Sequence, residues 1–123
     1  MRGRAGLLRI GLSAWLALGV VSQAAAHAVL QQSSPATGAS VPAGPLALDL
    51  KYNSRIDQAR SRISLTGPGN ATQVLKIDPT QTAQDHLSAN TQVAPGDYVL
   101  HWQVLSIDGH VTRGDVKFTV TGK

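Results

Sequence analysis

The stretch Tyr98-Val99-Leu100-His101-Trp102-Gln103-Val104 decides the fold class, because an apolar residue occupies every second position. Side chains alternate between the two faces of an extended strand, so positions 98, 100, 102 and 104 share one face. The turn-forming run Ala94-Pro95-Gly96-Asp97 stands directly before this stretch. The pattern predicts a β-strand that buries one apolar face.

The same two-residue period recurs along the rest of the chain. In the last strand, Val116, Phe118 and Val120 are predicted to point inward, and the residues between them outward. Other strands are predicted at 28–30, 46–52, 62–66, 72–77 and 85–88, with turns at 33–38, 67–70 and 107–110 and a loop from Asn53 to Ala59. About seven short strands without a helical period predict an all-β fold, an Ig-like or cupredoxin-like Greek-key sandwich or barrel.

The first 26 residues have the three parts of a secretory signal. Arg2, Arg4 and Arg9 form a basic start, the apolar run 10–21 follows, and Ala24-Ala25-Ala26 supplies the small residues of a cleavage site. An uncleaved membrane anchor is the alternative, but an apolar run of 12 residues is short for a span of about 20. We therefore predict a cleaved signal peptide at 1–26 and one domain at 27–123.

Composition narrows the function classes. The chain has 11 basic and 7 acidic residues. Three of the basic residues lie in the predicted signal, which leaves 8 against 7, a net charge of +1. The domain therefore lacks the basic stripe of a nucleic-acid-binding protein. Cysteine is absent, which excludes thiolate metal sites and cysteine nucleophiles, and the single methionine is Met1.

Cleavage after Ala26 makes His27 the first residue, with a free α-amine beside its imidazole. These groups titrate near pH 8 and 6.5 in model compounds, so both can be neutral nitrogen ligands near neutral pH. Asp108-Gly109-His110 adds a carboxylate and a second imidazole within a predicted turn. Such an N₃O set suits Cu(II), and Zn²⁺ is the competing ion. Taken alone, Asp108-Gly109-His110 is more typical of a simple hairpin turn.

The chain contains two further histidines, His86 and His101. By alternation His101 lies on the outward face of its strand, opposite Trp102. His86 falls in a weakly patterned strand, and we identify no ligand type beside it. Both are interpreted as ordinary surface residues.

These residues resemble the CopC family of periplasmic copper-binding proteins. The shared features are a signal that ends before His27, a Ser34-Pro35-x-x-Gly38 turn, and the block Tyr98-x-x-x-Trp102-x-Val104-x-Ser106-x-Asp108-Gly109-His110, followed by Gly114, Phe118 and Val120. The resemblance implies a cupredoxin-like Greek-key barrel that binds one Cu(II) per chain through His27, Asp108 and His110. It also implies a periplasmic carrier or buffer, without enzymatic activity, that delivers copper to a CopD-like inner-membrane protein.

The chain departs from the family pattern at three places. Several members carry a methionine-rich Cu(I) loop, whereas no methionine follows Met1 here. Ser54 stands where many members have an acidic residue, and Val111 where a proline often follows the histidine. Because the methionines of a Cu(I) loop are absent, a site for Cu(II) only is expected.

Two other functions compete with a copper carrier. An oxidative copper enzyme with a histidine brace also uses an N-terminal histidine, but Asp108 would fill a position that oxygen needs, and few aromatic residues are available for a substrate face. A metal-free, secreted Ig-like interaction module would make Asp108-Gly109-His110 only a turn.

Overall fold

Eight β-strands and one short 3₁₀ helix are found in residues 27–122, the part of the chain that this computed structural model describes. The predicted signal peptide, 1–26, lies outside the described residues. The strands are β1 Leu30–Ser34, β2 Ser40–Pro42, β3 Gly44–Tyr52, β4 Ile56–Thr66, β5 Thr72–Leu75, β6 His86–Val93, β7 Gly96–Ser106 and β8 Val111–Thr121, with the 3₁₀ helix at Pro68–Asn70 between β4 and β5.

The strands form two sheets. One has the order β1-β3-β6 and the other β2-β8-β7-β4-β5. All neighbours are antiparallel except β2 and β8, which run parallel. This confirms the prediction of an all-β Greek-key sandwich. The short strand β2 was not predicted, because its last residue, Pro42, and the nearby Gly44 are typical of a turn.

The hydrophobic core fills the space between the sheets. Its large side chains include Leu50 and Tyr52 from one sheet and Ile63, Leu100 and Trp102 from the other. Full burial of one such side chain stabilises a fold by about 1.5–3 kcal/mol. Core side chains run from Ala28 to Val120, so the segment from 27 onward carries its own core and both sheets.

The alternating patterns placed the buried faces correctly. The side chains at 98, 100, 102 and 104 are all buried, as are Val116, Phe118 and Val120 of β8. The aromatic side chains pack in two pairs. Tyr52 meets Trp102 edge to face at 5.3 Å between ring centroids, and Tyr98 stacks on Phe118 at 5.6 Å.

Several predicted boundaries were wrong. β1 begins at Leu30 and continues through Ser33 and Ser34, where the sequence predicts a turn. The predicted loop from Asn53 to Ala59 ends earlier, because β4 starts at the buried Ile56, which pairs with Ser106. Polar residues in these strands interrupt the apolar alternation from which strands are predicted.

Two other strands differ in length from the prediction. The predicted strand 72–77 ends at Leu75. The strand predicted at 85–88 runs from His86 to Val93, because β6 pairs with the whole of β3. Its second half contains Asn90, Thr91 and Gln92, which lack an apolar period.

No helix within residues 27–122 is long and apolar enough to cross a membrane.

Candidate metal centre

The tight turn between β7 and β8 carries two of the predicted ligands, Asp108 and His110. Gly109 between them has φ +91°, a left-handed conformation that glycine adopts without steric cost. The Gly109 N–H donates to the Ser106 carbonyl at 3.0 Å, and the Ser106 N–H donates to the His110 carbonyl at 2.9 Å. These hydrogen bonds close the turn, which confirms the predicted hairpin.

Ser106 organises this turn from the buried side. Its side chain is only 2% exposed, and its hydroxyl donates to the Asp108 carboxylate. The His110 N–H lies 3.3 Å from the Ser106 hydroxyl oxygen and 3.2 Å from Asp108 Oδ1. The hydrogen bond from Ser106, followed by that from the His110 side chain, lowers the pKa of Asp108 to about 2. Asp108 is therefore a fixed carboxylate at neutral pH.

The segment that follows His27 is fastened at consecutive residues. Ala28 is a buried core residue, and its carbonyl accepts a hydrogen bond from Thr112 Oγ1 at 3.0 Å. The Val29 N–H donates to Asn53 Oδ1 at 2.8 Å, and the Asn53 N–H donates to the Val29 carbonyl at 3.0 Å. His27 therefore starts from a fixed position beside β8.

The three residues predicted as ligands lie together at one end of the sandwich. The imidazole rings of His27 and His110 meet edge to face, with centroids 4.5 Å apart and planes at 79°. His110 Nδ1 lies 3.0 Å from Asp108 Oδ2. All three residues are exposed, so an ion at this end would be accessible from solvent.

The donor chemistry fits a metal ion, but the side chains do not surround one point. Within residues 27–122, no three His, Asp or Glu side chains are gathered as a ready metal cage. The Asp108 oxygens are engaged by Ser106 and His110. In the uncleaved sequence the nitrogen of His27 belongs to a peptide bond with Ala26, so the amine ligand does not yet exist. A complete ligand set therefore requires the free amine and the release of the Asp108–His110 contact.

His86 has ligand-type neighbours, contrary to our interpretation of the sequence. Its Nδ1 lies 3.0 Å from both carboxylate oxygens of Asp49, and its Nε2 lies 3.6 Å from Asp85. Asp85 directly precedes it in sequence, which was an available signal. Asp49 could be found only by knowing the pairing of β3 with β6, in which it lies opposite Ser88.

His101 points outward as predicted, but it is not a simple surface residue. Its Nδ1 lies 2.8 Å from Asp115, which is its partner in the register between β7 and β8. Its Nε2 lies 3.1 Å from Thr66 Oγ1.

Sequence reasoning gave no role to Ser106 or Thr112, although both hold the candidate ligands in place. Ser106 stands within the block that carries the family resemblance. Thr112 carries no local signal, because its partner Ala28 lies 84 residues away.

Comparison with known proteins identifies the family of the chain. The profile of the CopC domain family matches residues 30–121. Protein YobA of Escherichia coli strain K12 is 33% identical over 99 residues, which cover 77% of this chain and 79% of YobA. Copper resistance protein C of Xanthomonas campestris pv. juglandis is 29% identical over 107 residues, which cover 80% of this chain and 84% of that protein.

Two solved structures have a similar fold. The crystal structure of CopC from Methylosinus trichosporium OB3b matches with a TM-score of 0.68 at 27% identity, covering 78% of this chain and 95% of that chain. PcoC from Escherichia coli, a methionine-rich copper resistance protein, matches in fold with a TM-score of 0.64 at 23% identity, covering 78% and 100% of the two chains. The chain therefore belongs to the CopC domain family.

Proposed function

We propose that the protein is exported, loses residues 1–26, and binds one Cu(II) ion per chain as a periplasmic carrier or buffer in copper resistance and homeostasis. The observation that carries this proposal is the contact of His27 with His110 beside Asp108. Relatives named for copper resistance support the choice of metal.

The ligands we propose are the amine and imidazole of His27, the imidazole of His110 and the carboxylate of Asp108. Three nitrogens and one carboxylate match Cu(II), which is also the tightest binder among divalent first-row ions. Cu(I) prefers thiolates and thioethers. Residues 27–123 contain neither cysteine nor methionine, so a second site for Cu(I) is not proposed.

The surroundings of this site support transfer of the ion to another protein. Val29, Ile107 and Val111 are 54%, 61% and 50% exposed, and each lies within two residues of a proposed ligand. Exposed apolar side chains gain free energy when a partner covers them. We propose a CopD-like inner-membrane protein as the recipient.

The histidine-brace enzyme receives no support from the arrangement of aromatic residues. Residues 27–123 contain four aromatic side chains, Tyr52, Tyr98, Trp102 and Phe118. All four are buried, so none offers a flat surface on which a sugar substrate could stack. A metal-free interaction module would not explain why His27 and His110 meet.

The decisive test adds one glycine before His27 in the protein that starts at that residue. The extension turns the amine into an amide and leaves every side chain in place. We expect the Cu(II) affinity, measured by competition titration, to fall by at least about a hundredfold, since loss of a mere supporting residue already costs 10–100-fold. The EPR spectrum should change as well.

A glycine added after Lys123 is the matched control and should leave affinity and spectrum unchanged. An unchanged affinity in the N-terminal variant would eliminate the amine as a ligand. Mass spectrometry of the exported protein checks the cleavage site. A mature chain that begins at Ala26 would overturn the proposed site.

A further inference from the structure

The turn between β7 and β8 contains a dipeptide that can rearrange without any enzyme. Asp108-Gly109 is the single Asp-Gly pair of the chain, and the chain has no Asn-Gly pair. A protein backbone isomerises at aspartate most readily when glycine follows, because glycine has no side chain to shield its nitrogen. Asp108, Gly109 and His110 are exposed, so burial does not protect this pair.

The rearrangement is intramolecular, and water is its only other reactant. The backbone nitrogen of Gly109 attacks the side-chain carbon Cγ of Asp108. One carboxyl oxygen leaves as water, with the proton of the carboxyl group and the proton of the Gly109 N–H, and a succinimide ring remains. Water then opens the ring. Opening at the original backbone carbonyl leaves isoaspartate, in which the main chain runs through the side-chain carbon.

The turn restrains the attacking nitrogen. The Gly109 N–H donates to the Ser106 carbonyl at 3.0 Å. A nitrogen that had lost this proton would face an oxygen that only accepts hydrogen bonds, lone pair against lone pair. The nitrogen can therefore react only after the turn has opened.

The carboxylate that would be attacked is restrained at both oxygens. Oδ1 of Asp108 accepts from the Ser106 hydroxyl and lies 3.2 Å from the His110 N–H nitrogen. Oδ2 lies 3.0 Å from His110 Nδ1. Any rotation that turns Cγ toward the Gly109 nitrogen breaks these contacts.

Ser106 contributes to both restraints. Its carbonyl holds the Gly109 N–H, and its hydroxyl holds the Asp108 carboxylate. Ser106 is 2% exposed and pairs with Ile56 of β4, so the sheet fixes both groups. We propose that Asp108-Gly109 is a site of spontaneous isomerisation and that Ser106 suppresses the reaction in the folded protein by fixing both reacting groups.

Isomerisation would change the turn permanently. Isoaspartate adds one carbon to the main chain and leaves the carboxylate on the α-carbon, so the present contacts with Ser106 and His110 would be lost. If Asp108 is the ligand proposed above, the reaction also removes that ligand. The inference itself does not depend on copper. A chelator is present in every sample of its test, so it can hold or fail independently of the proposed function.

The experiment follows isoaspartate in the protein that starts at His27 during prolonged warm incubation at neutral pH. An isoaspartyl methyltransferase with labelled S-adenosylmethionine quantifies the product, and peptide mapping with electron-transfer fragmentation locates it. A capped peptide of residues 105–112 gives the rate without the fold. We expect the folded protein to react at least about tenfold more slowly than the peptide, since it must first open the turn.

Two variants release the carboxylate. Ser106→Ala removes the hydroxyl and should raise the rate about tenfold, as expected for loss of a hydrogen bond to a charged group. His110→Ala removes the exposed side chain beside Oδ2 and should raise the rate about threefold.

Two further variants are controls. Ser64→Ala removes a hydroxyl from the outward face of β4, away from the turn. Tyr98→Phe removes the hydroxyl that accepts the Ala94 N–H at 3.1 Å, which lowers stability without touching the turn. Both should isomerise at the wild-type rate.

Three results would overturn the proposal. The first is a wild-type rate equal to that of the peptide. The second is equal acceleration by Tyr98→Phe and Ser106→Ala, which would assign the protection to global stability. The third is a wild-type rate in Ser106→Ala or, if circular dichroism shows that this variant does not fold, in His110→Ala.

Discussion

His27 and His110 come from opposite ends of the described chain, and yet their imidazole rings lie edge to face at 4.5 Å. The contact between the two rings is a result of the fold and is not what places the residues side by side. The buried Ala28 and its hydrogen bond from Thr112 place the first residue beside the β7–β8 turn. The geometry of the candidate centre therefore depends on the packing of the core and on the position of β8.

This dependence predicts that Thr112→Val weakens Cu(II) binding although Thr112 is not a proposed ligand. Valine keeps the shape but removes the hydroxyl that holds the Ala28 carbonyl. We expect an affinity about tenfold lower by competition titration and a loss of about 1 kcal/mol in the free energy of unfolding. Thr119→Val, which removes a hydroxyl bonded to Asp97 near the other end of β8, should lower stability at most and leave copper affinity unchanged. Equal copper affinities in both variants would show that the hydrogen bond from Thr112 to Ala28 does not position His27.

Ser106→Ala tests the support beneath the turn. The substitution removes the buried hydroxyl, whose single hydrogen lies within reach of both the Asp108 carboxylate and the His110 carbonyl. Unfolding in urea should show a loss of about 1–3 kcal/mol, and Cu(II) affinity should fall about tenfold or more. Ser64→Ala, on the partly exposed outward face of β4, is the matched control and should change neither quantity appreciably. Retained affinity in Ser106→Ala would show that the turn holds Asp108 without this hydroxyl.

The pH dependence of copper binding separates Asp108 from the nitrogen ligands. Ser106 and His110 hold the pKa of Asp108 near 2, so its charge is present at pH 5–8 and disappears only as the pH falls toward 2. Asp108→Asn should therefore lower the Cu(II) affinity by about 10–100-fold, while the slope of log affinity against pH between 5 and 8 stays unchanged. That slope reports the nitrogens, which must lose protons to bind.

The experiment compares the two slopes in matched buffers. Asp97→Asn serves as the control for loss of one negative charge. If the wild-type slope is steeper by one proton than that of Asp108→Asn, the carboxylate titrates within the range and the assignment fails.

Sequence alone was sufficient for the buried faces but not for every strand end. Positions 98–104 have an uninterrupted apolar period, and all their inward residues are buried. Ile56 has no such neighbours, and its burial depends on pairing with Ser106 in β7. A local sequence pattern contains no information about a strand partner 50 positions away along the chain. For this reason Ile56 was wrongly predicted to lie in a loop.

The candidate centre, too, could be predicted from the sequence only in part. Asp108 and His110 are two residues apart, and His27 was identified from a cleavage signal rather than from folding. Their supporting hydrogen bonds, and the contact of Asp49 with His86, depend on strand register. Register between distant strands cannot be read from one sequence without a strong turn signal.

The hydroxyl of Tyr52 yields the last prediction, because it is buried without a hydrogen-bond partner among the described residues. An unsatisfied buried hydroxyl costs free energy. Tyr52→Phe should therefore leave the free energy of unfolding at pH 7 unchanged or raise it by about 1 kcal/mol.

Burial also raises the pKa of Tyr52 above its ordinary value. Above pH 10 the unfolded chain loses a proton that the folded chain keeps, so wild-type stability falls as pH rises, by up to about 1.4 kcal/mol per unit. Tyr52→Phe removes that loss. Tyr98→Phe is the matched control, since the Tyr98 hydroxyl accepts the Ala94 N–H at 3.1 Å, and it should lower stability by about 1 kcal/mol at pH 7. Urea unfolding at pH 7 and pH 11 measures both effects, and a clear destabilisation by Tyr52→Phe at pH 7 would show that its hydroxyl has a partner after all.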